Sequence, residues 1–190
     1  MTSLSDKLSP NVTTLIRLDH SQVRALFGQY KPESPASVRQ GLVQATCLAL
    51  EIHAQLEEDI FYPALQGLSQ SDALAHAPAE HAEARRLIGL LREMEPTDAH
   101  YDQTYMELMR CVMHHVADEE TTLLPEAERL MPERLAELGR AMTRRRLQLS
   151  APRAGEMAMH LARTLPGSTI AVTLGFMAAG LWLGMRIARA

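Results

Sequence analysis

His53-Ala54-Gln55-Leu56-Glu57-Glu58-Asp59-Ile60-Phe61-Tyr62-Pro63 returns later in the chain as His115-Val116-Ala117-Asp118-Glu119-Glu120-Thr121-Thr122-Leu123-Leu124-Pro125. Each copy has a His, two adjacent Glu beginning four positions on, and two apolar residues running into a Pro. On an α-helix, residues i and i+4 share a face one turn apart. His53 with Glu57, and His115 with Glu119, can therefore each present a nitrogen and a carboxylate oxygen to one point. Imidazole plus carboxylate suits iron, manganese or zinc.

The repeat extends upstream. Asp19-His20-Ser21-Gln22-Val23-Arg24-Ala25-Leu26-Phe27 aligns with Glu80-His81-Ala82-Glu83-Ala84-Arg85-Arg86-Leu87-Ile88. His20 precedes His53 by nearly the same interval that separates His81 from His115. The unit is a helix with one His followed by a helix with His and Glu, and it occurs twice. Two such helix pairs make a four-helix bundle with ligands projecting inward. One His-x-x-x-Glu pair is common by chance, but two in matching context are not. Burying four His and two Glu without a metal costs heavily in desolvation.

The 190 residues are rich in Ala, Leu, Met, Glu and Arg and poor in aromatics, which favours an all-α protein. A net charge of -4 gives no general attraction to nucleic acid. Two Cys make no disulfide framework and point to a reducing compartment. Met1 to Ser9 reads as a flexible leader without the apolar core of a signal peptide. Ser9-Pro10 and Ser34-Pro35 read as helix starts. The first helix ends near Gly28. Gln66 to Ala77 reads as a loop, with Pro78 opening the third helix and Thr97 or Asp98 capping the fourth. Glu133 to Arg146 forms a short amphipathic helix, which completes a bundle over residues 10–147, and residues 148–163 form a basic linker.

The run Thr164 to Met185 carries no charge and is flanked by Arg163, Arg186 and Arg189. An apolar run of roughly 18 residues is a transmembrane candidate, so 164–186 is expected to anchor the chain as a single membrane helix. Basic residues are denser before this run, which places the bundle on the cytoplasmic face. Gly180-x3-Gly184 offers a small-residue face through which two copies can pair as a homodimer. A C-terminal helix packed on the bundle is the alternative.

The order His20, His53-x3-Glu57, His81, His115-x3-Glu119, with Tyr62-Pro63 and Leu124-Pro125 after the pairs, resembles the hemerythrin-like (HHE cation-binding) family. The resemblance spans about residues 10–145. It implies an up-down four-helix bundle holding two Fe ions, a non-haem di-iron centre. His20, His53, Glu57, His81, His115 and Glu119 would be the metal ligands, and the two Glu would bridge the irons. It further implies binding or sensing of O₂, NO or peroxide. Zinc or manganese is the chemical variant, a di-iron oxidoreductase the enzymatic one, and a metal-free membrane-tethered scaffold the structural one.

The sequence departs from oxygen-carrying hemerythrins on the third helix. Those proteins have a second His one turn from the first, whereas here Ala77 and Arg85 flank His81, and His76 falls on another face before the helix. Glu58, with Glu120 as its counterpart, could supply a further ligand oxygen, but both are read first as solvated acids or partners of the ligands. Asp19 and Glu80 point about 100° away from their neighbouring His and are read as surface groups or partners of the ligating imidazoles. His114 is set aside in favour of His115, with Asp118 as its partner. Cys111, one turn before His115, is read first as a small buried hydrophobe and second as a redox-active thiol.

Overall fold

The computed structural model describes residues 10–155. The leader 1–9 and the expected membrane anchor 164–186 lie outside the described residues. No helix among the described residues is long and apolar enough to cross a membrane. The described chain is helical throughout, in five rods. The first is α1 (Val12–Gln29). The second runs through α2 (Ala36–Leu56), a π-helical turn (Glu57–Phe61) and α3 (Tyr62–Leu65). The third is α4 (Asp72–Glu93). The fourth runs through α5 (Tyr101–Asp118), a second π turn (Glu119–Leu123) and α6 (Leu124–Leu130). The fifth is α7 (Leu135–Ser150), followed by one 3₁₀ turn, Ala151–Arg153.

Short connections return each of the first four rods alongside its predecessor. α1 packs on α2 and α4 on α5, and α7 lies across α1 and α2. Asn11 caps α1 by accepting the Thr14 N–H at 2.8 Å. Pro35 occupies the cap position of α2.

Three boundaries differ from the sequence expectation. α4 begins at Asp72, capped by Ser71 through the Ala73 N–H at 3.2 Å, so only the start of 66–77 is loop and Pro78 lies inside the helix. Leu74 and Ala73 pack on the core, and that burial offsets the one helical bond a proline cannot make. His76 is consequently helical and exposed. α5 begins at Tyr101 rather than after Thr97 or Asp98, because the Asp98 carboxylate accepts the Glu95 N–H of the preceding turn at 2.8 Å. α7 extends to Ser150, so the first residues of the expected linker 148–163 are helical. The part of that linker beyond 155 lies outside the described residues.

Each π turn begins at a predicted ligand Glu and is followed within two residues by a Pro. The N–H of Tyr62 bonds the Glu57 carbonyl five residues back, and Leu124 does the same to Glu119. A proline ring crowds the carbonyl four residues before it. Through these wider turns the rods continue past Pro63 and Pro125.

The apolar side chains form two clusters. One gathers Val12, Ile16, Leu56, Phe61, Leu65, Leu123, Leu124 and Met142. The other gathers Val23, Phe27, Leu42, Leu87, Leu91, Tyr105, Leu108 and Val112. A layer of buried polar residues lies between them: His20, His53, Glu57, His81, His115 and Glu119.

Candidate metal centre

All six predicted residues reach this one layer. Their ring nitrogens and carboxylate oxygens form two overlapping groups able to hold a metal ion. The first is His20, His53, Glu57 and Glu119, and the second is Glu57, His81 and His115. Glu57 belongs to both. Its Oε1 lies 3.2 Å from His53 Nε2, and its Oε2 lies 3.3 Å from His81 Nε2 and 3.9 Å from His115 Nε2. Glu119 Oε2 lies 3.2 Å from His20 Nε2 and 3.7 Å from His115 Nε2. Each Glu thus faces the His one turn before it and the lone His of the other repeat. The layer has approximate two-fold symmetry.

Four atoms of the first group, His20 Nε2, His53 Nε2, Glu57 Oε1 and Glu119 Oε2, are buried and make no hydrogen bond. Buried polar atoms are rarely left unpaired. Four of them converging from four residues fit a cation, which would satisfy all at once.

Every inward His has an acid on its other ring nitrogen. His20 Nδ1 lies 3.0 Å from Glu120, His53 Nδ1 3.4 Å from Asp19, His81 Nδ1 2.9 Å from Glu58 and His115 Nδ1 2.9 Å from Glu80. Such an acid fixes the tautomer that leaves Nε2 free as a ligand. The acids are themselves held. Arg24 binds Glu120 at 3.0 Å, Arg85 binds Glu58 at 2.6 Å, Arg146 binds Asp19 through two bonds of 2.6 Å, and His114 meets Glu80 at 3.2 Å. Glu58, Glu120, Asp19 and Glu80 are therefore partners of the imidazoles. His114 is exposed and also lies 3.6 Å from Asp118, as expected.

Burial raises the Glu57 carboxyl, but the surrounding imidazoles outweigh it and hold it well below the usual range. Burial lowers His115, but Glu57, Glu119 and Glu80 outweigh it and push the imidazole up to about 10. His53 is raised in the same way, by Glu57, Asp19 and Glu119 acting against burial. For His53 and His115 the carboxylates that would face a metal thus favour a bound proton in its place.

Tyr62 is the functional residue that the sequence reading missed. Its hydroxyl, with one proton to give, donates to Glu119 Oε1 at 2.9 Å and also lies 3.2 Å from Glu57 Oε2 and 3.3 Å from His81 Nε2. Burial, then the charges of Glu57 and Glu119, raise this phenol far above its ordinary value, so it remains protonated. The signal was a difference between the two copies just before the proline, Tyr62 where the second copy has Leu124. Arg24 and Arg85 were visible as matched basic residues, each four positions after an inward His, but nothing local announced their acids.

Beside the four imidazoles lies a cavity of about 30 Å³ walled by Val23, Leu50, Ala84, Ile88, Val112 and Val116. That is room for a guest the size of one water or diatomic molecule. Cys111 also lines it, half-buried, and burial raises its thiol. Cys47 is buried in the second apolar cluster.

The model of the hemerythrin HHE cation binding domain matches residues 11–127. The chain belongs to the hemerythrin HHE cation-binding domain family. A hemerythrin HHE cation-binding domain protein of Mycobacterium kansasii has the same fold, with a TM-score of 0.65 at 22% identity. That match covers 82% of this chain and 99% of that one. A protein of Nostoc sp. (strain PCC 7120) named a DNA nickase is 28% identical over 123 residues, 65% of this chain but only 35% of the relative's own length. The HHE membership makes the His and Glu groups a metal site in kind, and the two halves of the matched span each supply one copy of the repeat.

Proposed function

We propose that the chain is a non-haem di-iron protein that binds or senses O₂, NO or peroxide. The observation that carries this reading is Glu57, whose Oε1 faces His53 and whose Oε2 faces His81 and His115, so that it belongs to both ligand groups. One ion would be held by His20, His53, Glu57 and Glu119, and the other by His81 and His115 with the second oxygen of Glu57. When bound, an iron pair supplies one-electron chemistry and vacant coordination for a small ligand. The chain supplies the rest. The four outer acids orient the imidazoles, the apolar cavity admits a diatomic guest and little water, and Tyr62 holds a proton donor against the second group.

The donor sets are unequal. Ala77, buried one turn before His81, offers no ligand atom, and the Tyr62 hydroxyl lies 3.3 Å from His81 Nε2. A hydroxyl therefore stands against His81 where oxygen carriers have a further imidazole. This supports sensing or turnover over simple oxygen carriage. The second reading, peroxide or NO detoxification, is favoured by the same buried O–H, which can donate to a reduced ligand. The run 164–186, uncharged as far as Met185, is our proposed anchor to the cytoplasmic face of a membrane. Fractionation of the full chain against one ending at Ser150 tests it, and equal solubility without detergent would exclude it.

The deciding experiment is metal content with the optical spectrum of protein loaded with iron, reduced without oxygen and then exposed to air. About two irons per chain, with a ligand-to-iron band absent from His53→Ala and Glu119→Ala, is the expected result. Repeated turnover of peroxide would establish the enzymatic reading. No metal, or metal indifferent to both variants, would leave only a helical scaffold.

A further inference from the structure

The two repeats differ in how they hold their first acid. In the second repeat Glu80 is bound by His114, the residue before His115. The matching position in the first repeat is Ile52, which is apolar and buried in the core cluster with Leu138 and Met142 of α7. The first repeat therefore offers no counterpart of His114 to Asp19, which has only His53 from its own repeat although it is only 7% exposed. Arg146, from α7, fills that place with its two bonds of 2.6 Å, reaching across 127 residues of sequence. α7 lies beyond the residues that the family model matches.

The seating of α7 is close as well as charged. A Cβ on Gly139 would come within 2.4 Å of the Pro10 carbonyl oxygen and 3.0 Å of Asn11, so only glycine lets α7 approach the start of α1 this closely. Arg145, next to Arg146, makes a separate tie to Asp59 at 2.7 Å that reaches no inward imidazole.

We propose that Arg146 is a positioning residue for the metal centre: through Asp19 it holds His53, so the seating of α7 sets how tightly the first metal ion is kept. The inference rests on the metal reading above. Arg146 touches no ligand atom. It holds the Asp19 carboxylate, which orients the imidazole and raises its basicity, and losing such a partner typically costs about 10–100-fold in metal affinity.

The test is the rate of iron loss from the full-length iron-loaded protein to a chelator, with the midpoint potential of the iron measured alongside. Arg146→Gln is expected to release one of the two irons about 10–100-fold faster and to shift the potential. Asp19→Asn should match it, and the double variant should be no worse than Asp19→Asn alone. Arg146→Lys should recover part of the loss. Gly139→Ala, which pushes α7 from α1, should reproduce the Arg146→Gln release. Arg145→Gln should behave as wild type, although it removes a comparable tie of α7. Equal release from Arg145→Gln and Arg146→Gln would mean that α7 acts only as structural support, and would overturn the proposal. So would Arg146→Gln releasing iron like wild type from a protein that holds two irons, which leaves the di-iron reading intact. A wild type that binds no iron overturns both.

Discussion

Tyr62 is one hydroxyl among six metal-directed side chains, and it breaks the symmetry of the layer. Tyr62→Phe leaves Glu119 Oε1 without its buried donor. An unpaired buried acceptor costs about 1–3 kcal/mol, so the metal-free variant should be less stable by that margin, read in a denaturant titration. Its iron content should stay at the wild-type level while the optical band of the air-exposed protein shifts. Loss of iron instead would make Tyr62 a ligand rather than a donor. The raised imidazoles give a second residue-scale expectation. A His raised by folding contributes stability that is complete below its unfolded value of about 6.5 and is lost as pH rises through the folded value, about 10 for His115. Glu57, lowered by folding, works at the other end: its contribution is lost as the pH falls below the ordinary carboxylate range. The metal-free protein should therefore lose thermal stability between about pH 7 and 10, and the metal-loaded protein much less, since protons no longer supply the charge. Equal alkaline profiles would show that the imidazoles are neutral when metal-free.

At the scale of elements, the π turns explain how a continuous rod delivers both a His and a Glu. A regular α-helix would place Pro63 and Pro125 against the carbonyls of Asp59 and Thr121. The turns that relieve this begin at Glu57 and Glu119 and so act on the aim of both carboxylates. Pro63→Ala restores an N–H and removes the crowding. We expect the helix content by circular dichroism to stay unchanged while iron is lost to a chelator faster. Unchanged retention would show that packing of Phe61 and Leu65, rather than the proline, holds the wide turn. The proline-rich ends of the two copies were legible in the sequence, but only as stops or kinks. The register of the turn depends on which N–H finds which carbonyl, and residue spacing does not report that. Pro78 misled for the opposite reason. A proline reads as a helix start, yet the Ser71 cap and the burial of Leu74 and Ala77 carry the helix through it.

For the whole molecule, the polar layer separates two apolar clusters, and folding without a cation must leave four buried atoms unpaired or protonated. A ligand that binds only the folded state at a hundred times its dissociation constant adds about 2.7 kcal/mol. Removing metal with a chelator should lower the melting temperature in one cooperative step, and adding iron back should restore it. A melting temperature indifferent to metal would mean that the two clusters alone hold the bundle.

The sequence by itself determined the helical class, the duplicated unit and the six inward residues, because residues three and four apart must share a helix face whatever surrounds them. It also pointed to Asp19, Glu80, Glu58 and Glu120 as possible partners of the imidazoles. Only the tertiary structure decided which acid serves which imidazole: Glu120 goes to His20 and Glu58 to His81, each across the repeat. It alone brought Tyr62 to both inward carboxylates and Arg146 to Asp19. Those pairings join residues as far as 100 and 127 positions apart. They depend on how the rods pack, and helical periodicity says which face a residue occupies but not what stands opposite it.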